Sequence, residues 1–468
     1  MTGYHEGVGR LLDSYLAVPA GEPVRLSKRT SNLFRSRART TAPGLDVSGL
    51  TGVLSVDPES CTAEVAGMCT YEDLVAATLP HSLSPLVVPQ LKTITLGGAV
   101  TGLGIESSSY RNGLPHESVL EMDILTGAGD IVTATPDGQH ADLFHGFPNS
   151  YGSLGYATRL RIELEPVRSR VSLRHLRFRD LVDVIDTVRH IVRHHEHEGE
   201  EVHYLDGVVF AEDEAYLTLG HQSDEAGETS DYTKEGIYYR SIQHDGDSPK
   251  PDLLTTHDYL WRWDTDWFWC SRAFGAQDPR IRRLWPTPLL RSSVYWRLVE
   301  LDRRWSVADR IEARRGRPPR ERVVQDVEIP LERTEEFLRW FLDTIPIEPI
   351  WLCPLRLRDR DAGGDGVARR RPEQQPWTLY PLRRGETYVN VGFWSTVPAT
   401  SGRPGAANLT IEAKVDELGG HKSLYSESFY DEETFARLYG GAEAARLKER
   451  YDPRDRLLDL YSKAVRRR

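Results

Sequence analysis

Cysteine, long apolar runs and excess positive charge are all scarce in this sequence. Four cysteines are scattered over 468 residues without the paired spacing of a metal site, so we expect a reduced, cytoplasmic compartment; they are Cys61, Cys69, Cys270 and Cys353. No run of about 18 apolar residues is present, so no membrane-spanning helix is predicted, and the N-terminal stretch lacks the apolar core of a signal peptide. The net charge of −11 argues against a nucleic-acid partner, because phosphate binding needs a basic surface.

The length and the pattern of apolar residues predict an α+β protein of several domains. A chain of 468 residues is too long for one hydrophobic core. The first third of the chain has short period-two segments separated by glycine, which predict antiparallel strands rather than a regular alternation of strands and helices. Apolar residues at helical spacing then predict helices from Leu181 and from Leu331. We place the domains at residues 1–168, 169–395 and 396–468.

A glycine-rich stretch, "GGAVTGLGIESSSYRNG", occupies Gly97–Gly113. Gly102 and Gly104 begin like a Rossmann G-x-G-x-x-G motif, but Ser107 stands in place of the third glycine. The stretch therefore does not predict NAD on a Rossmann helix. Glycines allow a close approach of the backbone to a phosphate-bearing cofactor, and serines add hydrogen-bond donors. The alternative is a glycine-rich turn between two strands.

A second unusual stretch, "YLWRWDTDWFWCSRAF", is dense in tryptophan and occupies Tyr259–Phe274. A pocket lined by aromatic rings suits a lipid chain better than a small polar substrate. Charged residues alternate with the rings, so we expect an amphipathic segment that faces an interface, although each ring taken singly suits an ordinary core. The predicted substrate-contacting residues are Trp261, Trp263, Trp267, Trp269 and Trp351.

The histidine-rich stretch "HHEHEGEEVH" follows the predicted helix from Leu181 and occupies His194–His203. His190 and His194 are four residues apart on one helix face, a spacing that two metal ligands can have. No carboxylate stands at a defined spacing to complete the set, so no metal site is predicted.

Three stretches resemble one group of flavoproteins. Val87–Val132, which includes the glycine-rich stretch, and Phe144–Leu164 resemble the PCMH-type FAD-binding domain of the vanillyl-alcohol-oxidase superfamily. "VVQDVEIPL" (Val323–Leu331) and "PIWLCPLRL" (Pro349–Leu357) resemble the cap domain of the delta24-sterol reductase (diminuto/seladin) family. The resemblance implies a two-subdomain FAD-binding domain, an α+β cap that holds the substrate, and a C-terminal segment that returns to the flavin.

The resemblance also implies that FAD binds without a covalent link. "RLSKRTSNLF" (Arg25–Phe34) stands where the superfamily commonly has an R-G-G-G-x-S phosphate loop, and Ser107–Ser109 stands where some relatives attach the flavin. The implied FAD-binding residues are Ser27, Lys28, Thr30, Ser31, Pro89, Thr95, Gly97, Gly98, Ala99, Gly102, Gly104, Ile105, Glu106, Ser107, Ser108, Gly113, Gly155 and Tyr156.

The implied reaction is the reduction of an isolated carbon–carbon double bond, in which flavin N5 delivers a hydride and an acid delivers a proton. NADPH is the implied electron donor. Without a second dinucleotide motif, we expect it to use the same pocket as the substrate. The candidate acids are Tyr425, Glu427, His421, Glu106 and His116, each of which is alternatively a hydrogen-bonded structural group.

The implied substrate is a lipid. Only 8 of the 59 basic residues are lysine, a bias typical of certain bacteria. Actinobacterial relatives of the sterol reductases convert 10-methylene-stearoyl chains to 10-methyl (tuberculostearic) chains, which is our first expectation, with a sterol side chain second. Either lipid implies contact with the inner face of the cell membrane, and the first implies a methyltransferase partner.

Two other functions stay open on the sequence. One is an FAD-dependent oxidase that removes a hydride from an alcohol or a sugar-lipid, as other members of the superfamily do. The other is a non-catalytic lipid-binding protein on the same fold, which would not need FAD.

Overall fold

The computed structural model describes residues 2–28, 33–35, 44–234, 236–245, 250–305, 318–358, 376–400 and 403–466, together with residues 310, 314 and 316. Within these ranges no helix combines the length and the apolar character needed to span a bilayer. Helices and largely antiparallel sheets share the chain, which confirms the predicted α+β class.

The first part of the chain holds eight strands and five α-helices among its described residues. The strands are β1 (Leu26–Ser27), β2 (Leu45–Asp46), β3 (Val53–Asp57), β4 (Thr62–Ala66), β5 (Leu83–Pro85), β6 (Val119–Leu125), β7 (Ile131–Ala134) and β8 (Tyr156–Pro166). The helices are α1 (Thr2–Ala17), α2 (Tyr71–Thr78), α3 (Leu96–Thr101), α4 (Ser109–Asn112) and α5 (Ala141–Gly146).

The remaining strands and helices follow in two groups. The strands are β9 (Arg170–Phe178), β10 (Glu196–His197), β11 (Glu200–Glu201), β12 (Tyr204–Ala211), β13 (Glu214–Ser223), β14 (Asp252–Thr255), β15 (Arg320–Pro330), β16 (Ile350–Arg356), β17 (Thr387–Pro398) and β18 (His421–Lys422). The helices are α6 (Leu181–His194), α7 (Tyr238–Asp245), α8 (Thr256–Leu260), α9 (Pro279–Leu284), α10 (Ser292–Trp305), α11 (Leu331–Thr344), α12 (Ala406–Glu417), α13 (Glu432–Leu438), α14 (Gly441–Tyr451) and α15 (Leu460–Ala464).

An antiparallel sheet of six strands organises the first part of the chain. Its order is β3-β4-β8-β6-β7, and β5 pairs with β8 outside that path. The central strand β8 alternates as a half-buried strand should, with Leu160 and Ile162 in the core and Arg159 turned to the polar face. A tight turn joins β6 to β7, where Thr126 N–H donates to the carbonyl of Asp130 at 2.9 Å.

The second sheet has eight strands in the order β14-β9-β13-β12-β16-β17-β15-β18. On one face Val327, Val389 and Val391 pack in a core with side chains of α6, α11 and α12. The opposite face, which we call the inner face, presents Cys353, Asn390 and the residues in register with them. Period-two alternation separates the two faces, since successive strand residues point to opposite sides.

The inner face packs against the first part of the chain. Helix α4 lies against β16, and Leu205 N–H at the start of β12 donates to the carbonyl of Ser107 at 2.8 Å. The glycine-rich stretch is therefore held between the two sheets. The C-terminal residues supply β18, which pairs with β15 at the edge of the second sheet. The domain limits at residues 168 and 395 stay predictions.

Candidate functional site

The serines that follow the glycines hold the glycine-rich stretch in place through their side chains. Ser107 Oγ lies 2.7 Å from the hydroxyl of Tyr259, and its N–H donates to Glu106 Oε1 at 2.9 Å. Ser108 Oγ donates to the carbonyl of Leu86 at 2.8 Å. All three serines of the run are buried, so their hydroxyls fix the loop to its surroundings.

Glu106 belongs to a buried ion network with Arg262 and Asp206. Arg262 Nη2 lies 2.8 Å from Glu106 Oε1 and 2.9 Å from Asp206 Oδ2, and the side chains are at most 4% exposed. The indole N–H groups of Trp263 and Trp351 donate to the same Asp206 oxygen at 3.3 and 3.2 Å. Glu106 thus joins three segments of the chain, and its Oε2 has no partner among the described residues.

The Trp-rich stretch is buried, so our expectation that it faces an interface was wrong. Its four tryptophans are at most 4% exposed: Trp261, Trp263, Trp267 and Trp269. The interleaved charges are satisfied internally, because Arg262 pairs as described, Asp266 pairs with Arg282 at 2.6 Å, and Asp264 accepts from Lys92 N–H at 3.0 Å. Alternating charges therefore indicate internal ion pairs here, and not a solvated face.

Three polar residues of the inner face, which we call the polar row, were not predicted from the sequence. They are Asp326, Glu328 and Asn390. Asn390 is in register with Cys353 on one side and Glu328 on the other, and Asp326 is in register with Gly392. Burial raises the pKa of Asp326 to about 7, although the neighbouring Tyr425 and Asn390 favour the carboxylate. Burial also raises the pKa of Glu328 well above its usual value. Both carboxyl groups are thus able to hold a proton.

The C-terminal segment reaches the polar row, and its return to the flavin stays a prediction. The carbonyl of Tyr425 accepts from the N–H groups of Phe34 and Arg35 at 2.9 and 3.3 Å. Its hydroxyl accepts from Trp394 Nε1 at 3.2 Å, and burial together with the Asp326 charge raises the pKa of Tyr425 well above 10. Among the predicted acids, Tyr425 is therefore the one placed beside Asp326.

The other predicted acids lie around the same region. His421, in register with Glu328 on β18, has its ring 4.8 Å from that of Tyr380, and burial lowers its pKa to about 3. His116 packs edge-on against Trp377 at 4.5 Å. Glu427 is half-buried, and its carbonyl accepts from the Lys422 ammonium group. A neutral imidazole at His421 is a poor acid, so the structure favours the Asp326–Tyr425 side of the row.

Several buried polar atoms without a partner among the described residues lie on this face or next to it. They include both ring nitrogens of His421, both amide atoms of Asn390, and single oxygens of Tyr151, Tyr380, Asp326 and Glu328. Buried polar groups are normally hydrogen-bonded. A ligand with both donors and acceptors would satisfy them, and the flavin ring of FAD has both. The residues present therefore fit the cofactor that the resemblance implies.

The segment from Thr95 to Gly98 suits the phosphates of such a cofactor. Lys28 Nζ donates to Thr95 Oγ1 at 3.3 Å, and the same oxygen accepts from Gly98 N–H at 3.2 Å. A side chain on Gly98 would lie 2.8 Å from Thr95 Oγ1 and 3.7 Å from the lysine nitrogen. The lysine thus supplies a cation where the glycine leaves space. Ser27 lies in β1 beside it, and the predicted Thr30 and Ser31 lie outside the described residues.

Other predicted FAD-binding glycines meet protein atoms closely. A Cβ on Gly97 would lie 2.6 Å from the carbonyl of Gly67, and one on Gly104 would lie 2.6 Å from Pro89. A Cβ on Gly102 would lie 3.3 Å from the ring of Tyr151. The neighbouring Ala99 is buried and Ile105 half-buried. Close packing of the backbone explains the first two glycines, and their contact with FAD stays a prediction.

The remaining predicted residues lie at turns. Gly113 and Gly155 have φ values of +68° and +145°, which favour glycine. The hydroxyl of Tyr156 donates to the carbonyl of Val24 at 3.4 Å, at the side of the first sheet that faces α1. Their role in FAD binding also stays a prediction.

His190 and His194, in the last turns of α6, form an exposed pair. His190 and His194 have ring centroids 4.7 Å apart, and His190 Nε2 lies 3.3 Å from Glu196 Oε1. No group of three metal-ligating side chains occurs among the residues the structure describes.

Comparison with known proteins assigns the cofactor. Residues 16–135 match the family model of an FAD binding domain. Along 88% of its length the chain is 26% identical to the delta(24)-sterol reductase of Homo sapiens, covering 76% of that protein, and along 91% it is 25% identical to that of Arabidopsis thaliana, covering 77%. A shorter region, 25% of the chain, is 37% identical to cytokinin dehydrogenase 6 of Oryza sativa subsp. japonica, covering 22% of that protein.

The chain is an FAD-dependent oxidoreductase that resembles the delta(24)-sterol reductases. The family match confirms FAD as its cofactor, and it includes Lys28, Thr95 and the whole glycine-rich stretch. The polar row of the inner face lies outside that match, on strands of the second sheet.

A signal for the missed residues was present in the sequence. Asp326 and Glu328 stand two apart in "VVQDVEIPL", so a strand places both carboxyl groups on one face. Their neighbours on the other face are Gln325, Val327 and Ile329, and all three are buried, as in a strand that lies inside a protein. Two carboxyl groups on one face of a buried strand are costly unless they have a function or a partner.

Proposed function

We propose that this FAD-dependent oxidoreductase reduces an isolated carbon–carbon double bond in a lipid, with NADPH as the electron donor. The first candidate substrate is a 10-methylene-stearoyl chain, which would become 10-methyl-stearoyl. A sterol side chain with a delta24 double bond is the second, and the similarity to delta(24)-sterol reductases favours it. Both substrates present a branched alkene within an apolar chain, so the chemistry required of the site is the same.

The observation that carries the proposal is Asp326 on the inner face. One oxygen of its carboxyl group, Oδ1, is buried without a partner among the described residues, and the group lies beside Tyr425. An isolated alkene is a weak base, so its reduction needs a proton donor at the carbon that does not take the hydride. Removal of a hydride from an alcohol needs a base instead. Burial favours the protonated form of Asp326, which is the form that the reduction needs.

When bound, FAD would supply the hydride for this reaction, with NADPH as its source. Asp326 holds the proton and donates it to the less substituted carbon of the alkene, directly or through the hydroxyl of Tyr425. Positive charge then develops on the tertiary carbon, which takes the hydride. The proton lost by Asp326 is replaced from solvent after each turnover, so atoms and charge balance.

Aromatic rings beside Tyr425 would exclude water from this step. Phe34 lies 5.6 Å from each of the rings of Tyr425, Trp267 and Trp394, and 5.2 Å from that of Trp296. Apolar walls of this kind bind an aliphatic chain and keep a carboxyl group protonated. Trp267 stacks on Phe34 at 5.6 Å, so it is the predicted substrate contact that belongs to this aromatic group. The other predicted tryptophans, Trp261, Trp263, Trp269 and Trp351, stay candidates.

The proposal is tested by supplying FAD-loaded protein with NADPH and each lipid in detergent micelles, and by analysing the products with mass spectrometry. We expect a gain of two hydrogens in one of the two lipids, and incorporation of one deuterium from heavy water at the less substituted carbon. Consumption of oxygen with an alcohol, and no reduction of either alkene, would favour an oxidase and contradict the proposal. Failure to bind FAD would leave only a lipid-binding protein.

A methyltransferase partner follows only from the first substrate. A host that expresses this chain together with a methylene-forming methyltransferase should then accumulate 10-methyl chains. Accumulation of methylene chains in the presence of FAD-loaded protein would exclude that substrate and leave the sterol side chain.

A further inference from the structure

Exposed apolar side chains are concentrated in one short part of the chain, between Ile281 and Leu301. Seven large apolar side chains are exposed among the described residues, and four of them lie between positions 281 and 301. They are Ile281 (44% exposed), Leu284 (85%), Leu289 (46%) and Leu301 (55%). Single exposed apolar residues are ordinary, but a group of them marks an interaction surface. We call α9, the turn Thr287–Leu289 and α10 up to Leu301 the α9–α10 surface.

The two helices of the α9–α10 surface lie next to each other. Trp285 caps the end of α9, directly after Leu284, and its ring lies 6.2 Å from that of Tyr295 in α10. Ile281 and Leu284 are three residues apart, so they share one face of α9. Leu301 stands four residues after Arg297 in α10, so these two exposed side chains share a face as well.

The charge of this surface is opposite to that of the molecule. Residues 279–301 contain five arginines and one acidic residue, whereas the whole chain carries a net charge of −11. Arg282 and Arg291 are used internally, in ion pairs with Asp266 and Glu72. The remaining arginines are exposed and form no ion pair with any described residue; they are Arg280, Arg283 and Arg297.

The α9–α10 surface is also close to the proposed acid. Trp296 of α10 lies 5.2 Å from Phe34, and Phe34 lies 5.6 Å from Tyr425. One aromatic layer therefore separates the outer helix from the polar row of the inner face. A lipid that left a bilayer at this surface would have only this aromatic layer between it and the site.

We infer that the α9–α10 surface docks the protein on a lipid bilayer that carries anionic headgroups, with its leucines in the apolar layer and its free arginines at the phosphates. Exposed apolar side chains interleaved with basic ones, on an otherwise acidic protein, match such a surface in both polarity and charge. A second copy of this chain is the poorer match, because a two-fold dimer would bring the same free arginines of both copies together. The inference rests on the proposed function only in that it gives a lipid substrate a route to the site.

The test is sedimentation of FAD-loaded protein with vesicles of phosphatidylcholine alone and of phosphatidylcholine mixed with phosphatidylglycerol. We expect binding to the anionic vesicles, weaker binding to the neutral ones, and release as salt is added. Leu284→Asp should lower the partition coefficient about tenfold or more. It replaces an apolar group that enters the bilayer by a charge that stays in water. Arg280→Gln with Arg283→Gln should abolish the preference for anionic lipid.

Two exposed leucines elsewhere provide matched controls. Leu16 on α1 is 78% exposed and Leu409 on α12 is 45% exposed, close to the values of Leu284 and Leu289. Leu16→Asp and Leu409→Asp should bind vesicles like the unchanged protein. No binding by the unchanged protein, or equal loss in the control variants, would overturn the inference. A monomer–dimer change in Leu284→Asp on size-exclusion chromatography would overturn it too, because the surface would then be an interface between copies.

Activity in detergent micelles separates this inference from the proposed function. Leu284→Asp should reduce a micellar lipid alkene at the rate of the unchanged protein, because no residue of the site is altered, and should lose activity only on vesicles. Vesicle binding without alkene reduction would reject the proposed function alone. Alkene reduction in micelles without vesicle binding would reject the docking surface alone.

Discussion

Asp326 is the residue whose protonation should control the reaction. Burial raises the pKa of its carboxyl group to about 7, so the acid form is present below that pH and is lost above it. The rate at which an alkene reoxidises the reduced flavin should therefore be highest on the acidic side of neutrality and fall as the pH rises through about 7. Transient absorbance of the flavin, recorded without oxygen from pH 5 to 9, measures this profile.

Asp326→Asn should remove the fall near pH 7 and slow alkene-dependent reoxidation by about 10²-fold or more, the size expected for loss of a general acid. Reduction of the flavin by NADPH needs no proton from Asp326 and is the internal control.

Stability gives a second check. A raised folded pKa stabilises the protein below the unfolded pKa near 4, and that stability is lost as the pH rises towards 7. The melting temperature of Asp326→Asn, relative to that of the unchanged protein, should therefore increase with pH. A variant whose rate depends on pH in the same way as the unchanged protein would contradict the role of Asp326 as proton donor.

Arg262 should matter for stability more than any surface arginine. Arg262→Met leaves the carboxylates of Glu106 and Asp206 buried without their cation, which we expect to lower the free energy of unfolding by about 3–5 kcal/mol. Arg189→Met is a matched control, because Arg189 also faces two carboxylates, of Asp186 and Glu332, but at the exposed surface. It should cost about 1 kcal/mol or less in urea unfolding. Equal losses in the two variants would show that the buried network adds nothing special.

Individual residues differ in how far their sequence surroundings reveal them. Glu106 stands in a recognisable loop, so it could be selected from the sequence, but its partner Arg262 is distant along the chain and its ion pair could not. Asp326 looks like one polar residue of an ordinary strand. Its surroundings are built by Asn390 and Tyr425 from two other segments, and only the strand register brings them together. Local patterns do not encode such long-range register.

At the scale of the element, Gly97 determines how α3 meets the first sheet. Its N–H donates to the carbonyl of Gly67 at 3.0 Å, and a Cβ at this position would lie 2.6 Å from that oxygen. Gly97→Ala should therefore lower the free energy of unfolding of the FAD-free protein by about 1–3 kcal/mol. Gly9→Ala in α1 is the control, since a Cβ there meets nothing within 4 Å. It should stabilise the helix slightly, and a neutral Gly97→Ala would mean that the glycine serves the cofactor alone.

Helices and strands with a clear period were the predictable elements. The helix expected from Leu181 runs Leu181–His194, and the one from Leu331 runs Leu331–Thr344, because each has apolar residues that meet the second sheet. The Trp-rich stretch was predictable as an aromatic segment but not in its burial. Its charged residues pair with Asp206 and Arg282, which lie outside the stretch. Because these partners are not visible in the composition of the stretch, the composition predicted an exposed segment instead of a buried one.

At the scale of the whole molecule, FAD should hold the two sheets together. Its predicted contacts include the segment around Lys28 and Thr95 on one side, and the unpaired polar atoms of the inner face lie on the other. Adding FAD to the FAD-free protein, at a free concentration of about a hundred times the dissociation constant, should raise the free energy of unfolding by about 2.7 kcal/mol. Lys28→Gln should need about tenfold more FAD for the same gain, because a charge-assisted contact with phosphate is lost. Flavin fluorescence measures the dissociation constant, and an unchanged value would remove Lys28 from the phosphate site.

Reduction of a lipid alkene is the central claim, and anaerobic mixing tests it most directly. FAD-loaded protein is first bleached with one equivalent of NADPH and then mixed with 10-methylene-stearoyl lipid or with a delta24-unsaturated sterol in micelles. The account predicts that the yellow flavin absorbance returns with one of these alkenes, that the saturated lipid forms in equal amount, and that neither saturated lipid has any effect. A flavin that stays bleached with both alkenes, but returns to yellow when oxygen is admitted, would contradict it.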